Sequence, residues 1–230
     1  MESFSDYTPK QAIFIYRNKA NNVHLRTHDL HIQDNRPVLG EGRSMSDEAI
    51  KALIVDLGKN VITQRGGLLP KRVLSVRPNG DILWWVKAAR RQLNVHECVG
   101  IKSGIAPFPA LLFALKDSTL KAFALKKTGT PTEQTRLYRL PLWNLMGSHG
   151  GMCMGSADFQ TEGTYREIIE KAEDGFFNSQ FSHANESACK SGSISKMWAA
   201  LVGTDKPFPK DELLPCGYHN VGEFMKASGF

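Results

Sequence analysis

The chain opens with short apolar runs of strand character. Ala12-Ile13-Phe14-Ile15-Tyr16 is β-rich, and Val23 to Ile32 alternates weakly with His24, His28 and His31 interspersed. With Asn21-Asn22 as the turn, this pattern predicts a strand pair. The period then changes: Ile50, Leu53, Ile54 and Leu57 recur at helical spacing. That predicts a helix over 46–58, capped by Ser44 or Ser46, ended by Gly58 and packed through one apolar face. Two hairpins are predicted next. Val73-Leu74-Ser75-Val76 and Ile82-Leu83-Trp84-Trp85-Val86 flank Pro78-Asn79-Gly80-Asp81, and Asn-Gly between apolar runs is a strong hairpin signal. Ala110 to Leu115 and Leu120 to Leu125 flank Asp117-Ser118 in the same way. Four strands in chain order imply an antiparallel meander, with Arg91 to Val99 as a short extra strand or a crossing loop.

From Gly129 to Phe159 periodicity disappears, and Pro, Gly, Trp, Met and His accumulate. Ordered loops of that length are usually functional, so the chemistry is expected there. Thr164-Tyr165-Arg166-Glu167 is a capping box, and Tyr165, Ile168, Ile169, Ala172, Phe176 and Phe177 make one apolar stripe over 164–180. A shorter helix is predicted over 194–202, stopped by Gly203, and the tail with Pro207, Pro209 and Pro215 reads as extended. The order is α+β, with helices covering one face of a meander. The expected divisions are an N-terminal strand extension over 1–43, a core over 44–187, and a C-terminal helix and extended tail over 188–230.

Composition narrows the class. In 230 residues with 41% hydrophobic and 23% charged side chains, no apolar run nears the roughly 18 residues of a membrane helix. The start, Met1 to Asp6, lacks the basic and apolar stretches of a signal peptide, so a reducing cytoplasm is expected and the four cysteines read as thiols or metal ligands. The net charge of +6 is uneven. Residues 61–130 carry twelve basic and three acidic side chains, residues 1–60 balance, and residues 131–230 lean acidic. The meander is therefore basic, as a solvated face, a phosphate-binding face or a dock for an acidic partner.

Location discriminates among the cysteines. Cys98 lies in or beside a strand, Cys189 in a Ser/Lys-rich linker, and Cys216 in the tail. Cys153 sits in Gly150-Gly151-Met152-Cys153-Met154-Gly155, where small residues let a bulky partner approach the sulfur. It is the candidate nucleophile, against the alternative of a buried inert thiol.

A helix, a meander, a long flap with Asn144 and then Gly-x-x-Cys-x-Gly before a helix resembles the ubiquitin-conjugating enzyme fold, in which a His-Pro-Asn stretch precedes the acceptor cysteine. Here Leu142-Trp143-Asn144 stands nine residues before Cys153. The run Leu68-Leu69-Pro70-x-Arg72-Val73-Leu74-Ser75-Val76, with Trp84-Trp85-Val86, Pro107-x-Pro109-Ala110-Leu111, Leu137-Tyr138, Phe181-x-His183-x-Asn185 and Phe208-Pro209, is more specific. Over about residues 65–215 it resembles family D of the prokaryotic ubiquitin-conjugating-like proteins, the protein B family of a plasmid ParB-related, ThiF-related cassette. The resemblance implies a carrier that takes a ubiquitin-like modifier as a thioester on Cys153 from a ThiF-like activating enzyme, often beside a JAB-type metallopeptidase, and needs no cofactor. Asn144 is then the motif asparagine, donating to a tetrahedral oxyanion or holding the flap; a turn residue is its plain alternative. Leu142 and Trp143 replace the motif's His and Pro, which leaves the flap's support open. His183 fits the downstream histidine expected to compensate, as a proton acceptor or an orienting group. A residue at a helix C-terminus is the plain alternative for it, and His149 lies nearer to Cys153 in sequence.

Other readings compete. Cys153, His183 and Asn185 have the residue types of a cysteine hydrolase. His96-Glu97-Cys98 and Cys216-Gly217-Tyr218-His219 hold metal-ligand types, but their spacing departs from a zinc deaminase, and no metal is expected. Trp84, Trp85, Lys87, Arg90 and Arg91 have the types of a nucleic-acid surface. A catalytically degenerate scaffold is the remaining alternative.

Overall fold

Asn21, at a left-handed φ of 63°, turns β1 (Gln11–Arg17) back onto β2 (Val23–Gln33), and the two pair antiparallel with Tyr16 opposite His24. The computed structural model describes residues 10–33, 36–63, 68–77, 80–153, 163–183 and 188–230. The chain divides into two compact units, Met1–Asn60 and Val61–Phe230. In the first, a third strand that periodicity did not reveal, β3 (Arg36–Ser44), pairs with β2. Gly42 lies opposite His28, and a Cβ on it would come within 2.6 Å of the imidazole. Asp29 accepts from Gln11 Nε2 at 3.0 Å and pairs with Arg43, and these contacts, Gln11 first, hold its carboxyl below the usual range.

Ser46 is the cap of α1 (Asp47–Thr63), its Oγ taking the Ala49 N–H at 3.2 Å. The helix passes the glycine at 58 that was expected to stop it, because a lone glycine costs a helix about 1 kcal/mol relative to alanine and does not end it. The predicted apolar packing face is not found either: Ile54 and Leu57 are exposed, and Ile50 and Leu53 are only half-buried.

The second unit is built on one large sheet. Its first strands are β4 (Val73–Val76) and β5 (Ile82–Val86). The segment after them, read as strand or loop, is a strand, β6 (Ala89–Val95), which makes a separate hairpin with β7 (Gly104–Phe108). The large sheet resumes with β8 (Ala110–Lys116) and β9 (Thr119–Leu125), joined by Asp117 and Ser118 at φ 46° and 59°, the left-handed pair of a tight hairpin turn. Strands β4, β5, β8 and β9 are neighbours in that order. The aperiodic stretch is not structureless: it holds β10 (Arg136–Arg139), β11 (Leu145–Met146) and β12 (Gly151–Met152), and both β10 and β12 pair with β9.

Next come α2 (Tyr165–Phe177), β13 (Gln180–Phe181), α3 (Ile194–Ala199), β14 (Pro215–Asn220) and α4 (Val221–Ser228). The capping box of α2 forms as its sequence predicts, with Thr164 and Glu167 satisfying each other's backbone N–H. The period of two along β5 then sorts the core. Ile82, Trp84 and Val86 pack with Ile168, Phe176 and Trp198 from α2 and α3, while Leu83 and Trp85 pack with Val221 and Phe224 from α4. Helices thus cover both faces of the sheet rather than one, and that is why β5 and β8 read as continuous apolar runs. Among the described residues no helix is long and apolar enough to cross a membrane.

Candidate functional site

After β10 the chain dives into the core. Leu142 and Trp143 are buried, and the Trp198 indole N–H donates to the Pro141 carbonyl at 2.6 Å. An apolar anchor therefore stands where the ubiquitin-type motif has its histidine. Asn144 follows at φ 59°, a left-handed conformation that asparagine tolerates better than most residues.

Asn144 is 8% exposed and each of its polar groups is bonded. Its backbone carbonyl accepts the Cys153 N–H at 2.7 Å, and its own N–H donates to the His183 carbonyl at 2.8 Å. Side-chain Oδ1 accepts the backbone N–H groups of Ser182 at 3.0 Å and His183 at 3.2 Å, and Nδ2 donates to the Gln180 carbonyl at 3.2 Å. The three candidates, 144, 153 and 183, thus converge through the backbone and side chain of one residue. The positive φ also suits Asn144 to the plain role of a turn residue.

The loop that returns to Cys153 depends on Gly150. At φ 70° its missing side chain lets the Phe123 ring approach; a Cβ there would lie 2.6 Å from that ring and 2.9 Å from the Ala122 carbonyl. Gly151 pairs with Met146, and Cys153 is partly buried at the end of this short ladder. Gly155 and Asn185, both named from sequence, lie outside the described residues.

The segment holding His183 is fixed from a second side. β13 runs parallel to β6, Phe181 is fully buried, and the Phe181 carbonyl accepts the His96 N–H at 2.8 Å. His183 itself is exposed, with Nδ1 2.9 Å from the Ser182 hydroxyl. Two neighbours escaped the sequence reading. Ser182 lies 3.4 Å from Asn144 Oδ1, and the exposed Cys98 donates from Sγ to the Ser182 carbonyl at 3.2 Å. The adjacent Ser-His pair was visible in the sequence, whereas the approach of Cys98, 84 residues earlier, depends on the parallel β13–β6 pairing.

The remaining candidates point elsewhere. His149 contacts Ser148 Oγ at 3.1 Å and sets its ring edge-on to Tyr218. Cys189 is buried, and Cys216 donates to the Tyr218 carbonyl while burial, the main cause, pushes its thiol up. A raised thiol carries less nucleophilic thiolate. Trp84 and Trp85 lie in the core and cannot stack on bases, Arg90 pairs with Asp205, and the Arg91 guanidinium lies 4.2 Å over the Phe177 ring. Part of the basic excess is engaged within the unit, with Arg72 paired to Glu173 and Arg90 to Asp205. A concavity of about 320 Å³ lined by Lys126, Lys127, Thr132, Arg136 and Tyr138 includes none of Asn144, Cys153 or His183.

Comparison with curated proteins and with solved structures finds no match. A family model described as prokaryotic E2 family D matches residues 49–216, and that span takes in Asn144, Cys153 and His183 together with every element that holds them. The chain belongs to prokaryotic E2 family D, a ubiquitin-conjugating-like family.

Proposed function

We propose that the protein carries a small ubiquitin-like modifier on Cys153, receiving it from a ThiF-like activating enzyme and passing it to an amine. The observation that supports this most directly is the bonding of Asn144 to both the Cys153 and the His183 segments. In the first exchange the Cys153 thiolate attacks the carbonyl of the modifier's thioester on the activating enzyme, the C–S bond to that enzyme breaks, and its thiolate leaves. In the second, an amine attacks the new thioester, the Cys153 C–S bond breaks and an amide forms. Each exchange passes through a tetrahedral oxyanion.

Asn144 acts here by position. Its Oδ1 is occupied by two backbone N–H groups and its Nδ2 by the Gln180 carbonyl, so it fixes the spacing between the thiol loop and the histidine segment. His183 is the group that faces outward from that frame. The partners are a ThiF-like enzyme and the modifier, with a JAB-type metallopeptidase in the same plasmid cassette.

The test is mass spectrometry of the chain mixed with activating enzyme, modifier and ATP. Wild type forms an adduct that reductant removes, and Cys153→Ser forms either none or a reductant-resistant oxyester. A reductant-labile adduct persisting on Cys153→Ser overturns the assignment.

A further inference from the structure

We propose that Ser182 is a positioning residue that fixes the tautomer of His183, placing the neutral imidazole's proton on Nε2, so that His183 meets the reaction as a hydrogen-bond donor. The geometry stands alone, and its catalytic consequence rests on the carrier function of Cys153.

The argument is a count of protons and lone pairs. A carbonyl oxygen has two acceptor positions. Those of Asn144 Oδ1 are taken by the backbone N–H groups of Ser182 at 3.0 Å and His183 at 3.2 Å. Among the described residues the Ser182 hydroxyl has one proton and two places to send it. Toward Asn144 Oδ1 the distance is 3.4 Å, long for O–H···O and a third bond on a filled acceptor. Toward His183 Nδ1 it is 2.9 Å. The opposite arrangement, with Nδ1–H donating to the Ser182 oxygen, would leave the hydroxyl proton only the long third bond to Asn144 Oδ1 among the described residues, so the bond from the hydroxyl to an unprotonated Nδ1 is the favoured one. A neutral imidazole with a bare Nδ1 carries its hydrogen on Nε2.

The backbone of the serine is held in place. Cys98 Sγ donates to the Ser182 carbonyl at 3.2 Å, the Ser182 N–H is bound to Asn144, and Phe181 beside it is fully buried. From that backbone the hydroxyl reaches both Asn144 and His183. When an amine attacks the Cys153 thioester, the new N–C bond pushes the carbonyl π pair onto oxygen, and a donor at Nε2 stabilises that oxyanion without giving up its proton. Collapse breaks the C–S bond, the pair leaves on Cys153 sulfur, and the amine's proton goes to water. On this proposal His183 acts in this step as a donor, in place of the proton acceptor or orienting group that the sequence reading left open.

Long-range proton–nitrogen NMR on the full chain with labelled histidine reads the tautomer without any partner protein. A neutral imidazole in water samples both forms. The expected result is one form, with Nε2 protonated and Nδ1 at the shift of a hydrogen-bonded acceptor, a signature lost in Ser182→Ala and kept in Ser182→Thr. In transfer assays Ser182→Ala still loads Cys153 but discharges to an amine about fivefold to tenfold more slowly, the rate equivalent of one net hydrogen bond, and Ser182→Thr restores the rate. An Nδ1-protonated His183, or a Ser182→Ala chain with unchanged spectrum and unchanged discharge, overturns the proposal. Failure of wild type to load Cys153 overturns the carrier function instead and leaves the NMR result to decide the tautomer.

Discussion

The two units treat their apolar side chains in opposite ways. In the first, Ile13, Phe14, Ile15, Tyr16, Val23, Ile32, Val38 and Leu39 on the strands and Ile54, Val55 and Leu57 on α1 are exposed, and no described residue is buried. In the second, both faces of β5 and β8 are sealed, and every buried side chain of the described residues lies there, from Asp81 to Phe224. The first sheet is held in register by backbone bonds, the Asn21 turn and the Gln11, Asp29 and Arg43 contacts. The second is held by burial, which stabilises a fold at roughly 25 cal/mol per Å² of apolar surface removed from water. The site stands on the second. Leu142, Trp143, Met152 and Phe181, which flank Asn144, Cys153 and His183, all belong to its main core. A catalytic frame needs supports that do not move, and the burial difference shows which unit can supply them.

One substitution made in both units can break this contrast. Phe113 is fully buried against Trp84, Phe176 and Phe177, while Phe14 is 40% exposed and, among the described residues, its ring meets only the His28 ring edge. Phe113→Ala is expected to cost about 3–5 kcal/mol and Phe14→Ala less than about 1 kcal/mol. Urea unfolding followed by tryptophan fluorescence is suited to the first measurement, since all four tryptophans, 84, 85, 143 and 198, lie in the second unit. Circular dichroism covers the first unit. Equal costs would mean that Phe14 is buried in solution and that the contrast is wrong.

Gly150 sharpens the link between core and site. Its replacement by alanine adds a left-handed non-glycine residue and drives a methyl into the Phe123 ring, which packs on Phe224 of α4. The two effects are expected to cost about 2–4 kcal/mol together. Loading of Cys153 should fall as well, because the loop must shift to relieve the contact. A Gly150→Ala chain with wild-type stability and loading would show that the loop is not braced by the core.

The same contrast explains what was legible in the sequence. Strands β5, β8 and β9 and the helix α2 were readable because burial wrote them as apolar runs and a 3.6-residue stripe. β3 was not, since Pro37, Gly40 and Gly42 interrupt it and leave Val38-Leu39 as its only apolar pair, and α1 overran its predicted end because Gly58 is only a weak stop. α4 escaped attention although Asn220 and Glu223 cap it and Gly229 closes it at φ 73°, a signal overshadowed by the prolines before it. At the site, Cys153, Asn144 and His183 could be named from residue type and motif order. Their convergence could not, because it is made by Asn144 reaching 38 and 39 residues ahead to two backbone N–H groups. Nor could the apolar anchor at Leu142 be read as support, since a leucine in an aperiodic stretch has no partner until the fold supplies one.

The smallest expected effect tests how far the second unit depends on anything other than burial. α2 delivers Phe176 and Phe177 to the core, but in its first turn Arg166 and Glu167 are exposed, and its start is fixed by Thr164 and Glu167. Thr164→Ala should cost about 1 kcal/mol. The bond from the Thr164 backbone N–H, ahead of that from its hydroxyl, draws the Glu167 carboxyl below its ordinary value of 4.5. A group whose folded value is depressed stabilises the fold in its charged form, so the contribution is complete above pH 4.5 and fades as pH falls through the lower folded value. Stability of wild type should therefore decline with acid below pH 4.5 more steeply than that of Glu167→Gln, which lacks the titrating group. Matching acid profiles for the two chains would assign the start of α2 to core packing alone, and the second unit would then rest on burial even at its surface.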